Sequence, residues 1–239
     1  MCGRFTLTVE RLEDVAESLH AWVEADKLQS YRPRFNVAPG QSHWLLRSPL
    51  GRRELVPAHW GLINSWAKDP AIGFKQINAR AETLAQRPAY RVAFMERRCV
   101  VPTDGFYEWH GPDKARQPFW FHPPEGGLLL LAGLYEAWTH PTTGETRTTF
   151  TIVTTAATEP VAQVHARMPA LLAPEQIDPW LQGPEPRRLL QAPCAVALVS
   201  TAVSRRVNSA QHDDPACLEP EHGALASGGS RGPRQGSLF

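Results

Sequence analysis

Between residues 9 and 24 the apolar positions Leu12, Val15, Ala16, Leu19 and Val23 recur at intervals of mostly three and four, the spacing of one face of an amphipathic helix. The pattern then changes. His43 to Arg47, Arg98 to Val101, Gln117 to Phe121, Leu128 to Leu134, Thr148 to Thr155 and Ala195 to Thr201 are short runs of apolar or β-branched residues separated by Gly or Pro, and they predict strands. Helical pieces fit best at Ala81 to Gln86, Ala89 to Arg97, Pro174 to Leu181 and Glu185 to Gln191. Strands cluster rather than alternate with helices, which predicts an α+β fold with a curved, mainly antiparallel, barrel-like sheet and several short helices. A single domain over 2–218 accommodates these elements. From Glu219 to Phe239 the chain turns to Gly, Ser and Pro with little to bury, which predicts a disordered tail.

Composition narrows the classes. A chain of 239 residues, 42% hydrophobic, suffices for one domain with a sizeable core. No apolar run approaches the roughly 18 residues of a membrane span, and MCGRFTLTVE lacks the apolar stretch of a signal peptide, so a cytoplasmic location is expected. Cysteines at 2, 99, 194 and 217 form no CxxC pair and no zinc-like spacing with His, which argues against a metal site or a disulfide framework. The net charge of +1 says nothing of a polyanion partner, although 21 of the 25 basic residues are Arg. Arg grips phosphate through a planar fork and stacks on bases, but residue usage in the source organism accounts for such a bias equally well.

The chemistry begins at Met1-Cys2-Gly3-Arg4. A small second residue permits removal of the initiator Met, leaving an α-amine and a thiol on adjacent carbons. The amine titrates near ~7.7–8.0 and the thiol near ~8.5, so both nucleophiles are partly available at neutral pH. Towards an aldehyde such a 1,2-aminothiol forms a Schiff base and then closes a five-membered thiazolidine in an intramolecular step. Taken alone, Cys2 is equally a small residue after Met. Three polar residues in apolar or aromatic settings change its context: Asn78 in QINARAET, Glu108 in DGFYEW and His165 in VHARMP. Reaction with an aldehyde needs a group to orient the amine, a carboxylate to move protons and an imidazole that titrates near neutrality. Singly, each has an ordinary alternative: a cap for the following helix, a partner for an Arg, and a hydrogen-bonded core histidine.

Together with MCGRF, the segments FNVAPG (Phe35 to Gly40), HWGLINSW (His59 to Trp66), INARAET (Ile77 to Thr83), VPTDGFYEW (Val101 to Trp109) and VHARMPALL (Val164 to Leu172) resemble, in order, the signatures of the SOS-response-associated peptidase (SRAP) domain. The resemblance runs from residue 2 to about residue 220. It implies a protein that removes its own Met1, binds single-stranded DNA and forms a thiazolidine with the ring-opened sugar of an abasic site, with lyase-type activity through the Schiff base. Carried over, Cys2 is the nucleophile, Asn78 positions its amine, Glu108 moves protons and His165 assists ring opening. Arg4, Arg80 and Arg167 would hold flanking phosphates, Trp66 and Trp109 would stack on bases, and Asn36 and Pro39 would line the same cleft. For the tryptophans core packing is the alternative. Ser65 precedes Trp66 where some relatives carry a second Trp, which leaves the choice of DNA junction open.

No cofactor is implied, and the expected setting is the nucleoid or replication fork. The final Gln235-Gly236-Ser237-Leu238-Phe239 resembles the pentapeptide by which bacterial repair proteins dock on the sliding clamp, with Gln235, Leu238 and Phe239 as the contacting residues. Two rival readings exist. Class II glutamine amidotransferases also begin Met-Cys-Gly, making Cys2 an amidohydrolase nucleophile, and a non-catalytic single-strand-binding module would leave Cys2 incidental.

Overall fold

The computed structural model describes residues 2–112, 115–191 and 196–221. The QGSLF segment with Gln235, Leu238 and Phe239 lies outside the described residues, as does the rest of the chain beyond 221. In chain order the elements begin β1 (Arg4–Leu7), α1 (Leu12–Ser18), β2 (Trp22–Val23), α2 (Ala25–Leu28), β3 (Arg34–Val37), β4 (Ser42–Arg47), β5 (Glu54–Trp60) and β6 (Asn78–Arg80). Next come α3 (Pro88–Glu96), β7 (Arg98–Thr103), β8 (Gly105–His110), β9 (Gln117–His122), β10 (Leu129–Thr139) and β11 (Thr146–Ala156). The last are β12 (Arg167–Pro169), β13 (Leu171–Leu172), α4 (Ile177–Gln182), α5 (Pro186–Gln191) and β14 (Val199–Ala202).

Two sheets organise them. A five-stranded antiparallel sheet has the order β14-β9-β8-β1-β3. The larger, mixed sheet follows β12-β11-β10-β7-β4-β5-β2, with β13 added to β10 and β6 to β11. Because β11 also pairs in parallel with β5, through Thr149 with His59 and Phe150 with Trp60, the path β11-β10-β7-β4-β5 closes into a five-stranded barrel. Closure removes the exposed edges that those strands would otherwise present. The period-two alternation of β10 divides the core: Leu129 and Leu131 join Phe5, Phe106, Phe121 and Cys2, whereas Leu130, Ala132 and Leu134 face α1, α3 and α4. The α+β class with a barrel-like core is as the sequence predicts.

Several boundaries differ from the expected ones. The helix expected over 9–24 is only Leu12–Ser18, and His20 leaves it with a φ of 49°. Trp22 and Val23 then pair in parallel with Glu54 and Leu55, so the ladder of β5 captures the end of the helical pattern. Leu12, Val15, Ala16 and Leu19 are nevertheless buried as that pattern requires. The segment 81–86 is a 3-10 turn over Ala81–Thr83 with no α-helix, since β6 ends at Arg80 and Pro88 opens α3.

Candidate active site

β1 is the element that brings the amino terminus to the others. It lies between β3 and β8, with Arg4 opposite Tyr107 and Phe5 opposite Phe106. The turn from β7 to β8 is pinned to β1 by Asp104, whose carboxylate accepts hydrogen bonds from the Thr6 hydroxyl and from the backbone and hydroxyl of Thr8. Side chains alternate along β8, so Phe106 and Glu108 share one face and Tyr107 and Trp109 the other. Phe106 packs with Cys2, which puts Glu108 on the face where the amino terminus ends.

Asn78 reaches the same place from β6, which lies parallel to β11 with Asn78 opposite Ile152. Its Nδ2 donates to the Cys2 carbonyl at 2.7 Å, so it does not cap a helix. Its Oδ1 is buried and has no hydrogen-bond partner among the described residues. His165 precedes β12, whose Arg167 pairs with Ala156 of β11. The His165 Nδ1 lies 2.9 Å from the Arg167 backbone N–H and 3.0 Å from the Arg167 carbonyl. Nδ1 accepts from the first when it carries no hydrogen and donates to the second when it does, so either form has a backbone partner there.

Electrostatics link the set. Cys2 is fully buried, and burial pushes its thiol well above the ordinary range, with the Glu108 charge adding to the rise. Burial likewise raises the Glu108 carboxyl, against the opposing pull of His165. A carboxyl and a thiol that both resist ionisation favour proton transfer between site groups over loss of protons to solvent. The structure thus brings Cys2, Asn78, Glu108 and His165 together from four separate segments.

The expected DNA-contacting residues divide into two sets. Arg4 lies over Trp109 with its guanidinium 5.9 Å from the ring centroid, on the face of β8 that carries Tyr107. Trp109 is half-buried, packed against the small cluster of Tyr107, Val203, Val207 and Cys217, and its Nε1 donates to Asn208 at 2.7 Å. Arg80 is exposed at the end of β6, Trp66 is 59% exposed, and Pro39 is half-buried. Arg167, by contrast, is paired with Glu82 and donates to the Thr154 carbonyl, which ties β12 to the turn after β6. Asn36 is fully buried and its Nδ2 donates to the carbonyls of Val207, Ser209 and His212. It therefore does not line a cleft but orders the segment that carries Asn208. The sequence reading missed Asn208 and Asp213, which accepts from the backbone of Phe35 and Asn36 and pairs with Arg34.

An α+β domain around a small closed barrel, with a buried cysteine at position 2 set among a carboxamide, a carboxyl and an imidazole, defines the class. Residues 1–210 match the family described as SOS response associated peptidase (SRAP), and the chain belongs to that family. Abasic site processing protein YoqW of Bacillus subtilis (strain 168) is 38% identical over 225 residues, spanning 92% of this chain and 99% of that relative. Abasic site processing protein HMCES of Gallus gallus is 34% identical over 229 residues, spanning 80% of this chain and 67% of its own length. The fold is shared with a crystal structure of a protein from Bacteroides thetaiotaomicron, at a TM-score of 0.82 and 23% identity over 92% of this chain and 100% of that one. A protein from Bordetella bronchiseptica aligns at a TM-score of 0.71 and 26% identity over 85% of this chain and 100% of its own.

Proposed function

We propose that this protein processes abasic sites in single-stranded DNA by covalent capture on Cys2 once Met1 has been removed. Hydrolysis of the Met1–Cys2 bond consumes one water and frees the α-amine. That amine condenses with the aldehyde of a ring-opened abasic sugar to give an imine and release water. The Cys2 thiol then adds across the imine: sulfur bonds to carbon, and the thiol proton ends on nitrogen. The thiazolidine so formed shields the lesion.

The observation that carries this reading is the convergence on Cys2: Asn78 holds its carbonyl at 2.7 Å, and Glu108 and His165 are coupled electrostatically beside it. In this scheme Asn78 fixes the residue so that its vacant Oδ1 accepts from the new amine, Glu108 relays the proton during Met1 removal and imine formation, and His165 assists ring opening. The raised thiol pKa favours the order amine first, thiol second, because the amine does not have to compete with a standing thiolate. The printed names of the relatives, abasic site processing proteins, point the same way.

Intact-protein mass spectrometry before and after incubation with a single-stranded oligonucleotide carrying one abasic site tests the proposal. Loss of Met1 and a heat-stable adduct on the Cys2 peptide are expected. Cys2→Ala should abolish the adduct completely while leaving non-covalent strand binding within about twofold. Retained Met1 with no adduct would leave a binding module, and Cys2-dependent glutamine hydrolysis would point to the amidohydrolase class.

A further inference from the structure

Thr154 of β11 stands between the two flanks of the reacting site. On one edge it pairs with Arg80 of β6, the strand that begins at Asn78, and on the other with Pro169 of β12, the strand that follows His165. Asn78 and His165 therefore approach Cys2 from opposite sides of a single strand, and their separation depends on what ties those sides together. The pairing of β12 covers only Arg167–Pro169, and the chain before it is the short 3-10 turn Val161–Gln163, so backbone bonds alone fix His165 at few points.

Arg167 supplies a second tie. Its guanidinium crosses β11, where Nη2 donates to the Thr154 carbonyl at 2.6 Å and to the Thr154 hydroxyl at 3.3 Å. Beyond the strand it forks onto Glu82, with Nη1 donating to Oε1 at 2.5 Å and Nη2 to Oε2 at 3.0 Å. Glu82 belongs to the 3-10 turn Ala81–Thr83 that follows directly on β6. A two-pronged pair of this kind fixes direction as well as distance. The main chain of Arg167 serves the imidazole, since its N–H and carbonyl lie 2.9 and 3.0 Å from His165 Nδ1. Glu82 thus holds the side chain of the residue whose backbone holds His165.

The pair matters more for position than for stability. The Glu82 side chain is 54% exposed, and an ion pair so open to solvent adds little to the fold. A displacement of about 1 Å near a reacting group, by contrast, costs as much as about 10²-fold in rate. The Arg167 hydrogen bond holds the Glu82 carboxyl below its usual range, so the grip persists at neutral pH.

Resting on the function proposed above, we infer that Glu82 is a positioning residue for His165: by gripping Arg167 across β11 it sets where the imidazole stands relative to the Cys2 that Asn78 holds. Because His165 assists ring opening in that scheme, loss of Glu82 is felt only by a substrate whose sugar ring must open.

The test compares two single-stranded oligonucleotides under single-turnover conditions, one with an abasic site and one with an acyclic linker that bears a free aldehyde and has no ring to open. Glu82→Ala should slow adduct formation at the abasic site about 10- to 100-fold and leave the rate with the acyclic aldehyde unchanged. Affinity for a tetrahydrofuran analogue, which cannot cross-link, should also be unchanged. Glu82→Asp, with the carboxylate one methylene shorter, should recover part of the rate. In a His165→Ala background Glu82→Ala should slow the reaction no further, because both act on one step. Should Glu82→Ala fail to fold, Glu82→Gln, which keeps one acceptor and loses the charge, carries the same comparison. A wild-type rate at the abasic site for the Glu82 variants, or equal slowing on both oligonucleotides, overturns the inference and leaves the covalent function standing. Slowing that persists undiminished in the His165→Ala background overturns it as well. A wild-type protein that forms no adduct at the abasic site overturns the function itself.

Discussion

Burial raises the Glu108 carboxyl because charging it on the inner face of β8 gives up hydration that the neighbouring groups only partly replace. A carboxyl whose folded pKa stands above its unfolded value contributes stability that is fully present below the unfolded pKa and lost as pH rises through the folded one. Once pH passes the unfolded pKa, Glu108 therefore costs the fold stability. Glu108→Gln should raise the thermal midpoint at pH 7–8, with the gain shrinking towards pH 4 and below as the carboxyl becomes protonated in the unfolded state as well. Adduct formation should slow by about 10²–10⁴, the range for loss of a positioned acid or base. A calorimetric pH series beside single-turnover adduct rates checks both, and a stability gain that persists unchanged at pH 4 would contradict the electrostatic cause. At this scale the meeting of Cys2, Asn78, Glu108 and His165 was expected from the family resemblance carried by MCGRF, INARAET, DGFYEW and VHARMP together, since singly each residue has an ordinary alternative. Asn208 and Asp213 were not, because their partners Trp109 and Asn36 lie 99 and 177 positions away and nothing local to them signals the contact.

Elements were legible in proportion to their length and periodicity. The expected strands at β4, β7, β9, β10 and β11 are present with small shifts, and β10 and β11 extend beyond the expected ends because they pair with each other from Gly133 with Ile152 to Thr139 with Thr146. Of the strands that the pattern missed, β1, β3 and β6 are only three or four residues long, too short for alternation to show, and β8 spans Gly105–His110 beside the candidate site. β5 was hidden by Pro57, which the sheet accommodates opposite Trp44. A second device invisible to periodicity is Arg98 at the start of β7. It is buried, and its guanidinium donates to the carbonyls of Phe94 and Met95 at the end of α3 and of Trp180 and Gly183 at the end of α4. Helix ends leave carbonyls unsatisfied and carry partial negative charge, so one cation answers two helices at once. Arg98→Met keeps the apolar stem and removes the donors, which should cost about 3 kcal/mol and lower the thermal midpoint by roughly 6–12 °C. A wild-type midpoint would mean that solvent satisfies those carbonyls as well as Arg98 does.

For the whole molecule, a net charge of +1 provides no general attraction to DNA, so affinity must come from where the cations stand. Sequence adjacency to the reacting motifs makes Arg4, Arg80 and Arg167 look equivalent, and no helix among the described residues is long and apolar enough to cross a membrane and draw cations elsewhere. The fold separates the three. Arg167 is tied to Glu82, whose carboxyl is held below its usual range first of all by that hydrogen bond. Arg80 is exposed, Arg4 lies over Trp109, and Lys68 and Lys75 are exposed on the loop that precedes Asn78. Single-strand binding releases about 0.7 counterion per phosphate contacted. Three or four such contacts predict that affinity for an oligonucleotide that cannot cross-link falls by roughly two to three decades over a tenfold rise in salt. Arg80→Ala should lower that slope by about 0.7 without changing the thermal midpoint. Arg167→Ala should leave the slope nearly unchanged and lower the midpoint, because it frees β12 from the turn after β6. The reverse pattern, with Arg167 setting the slope, would mean that DNA displaces Glu82 and that the ion pair is a resting state of the binding surface.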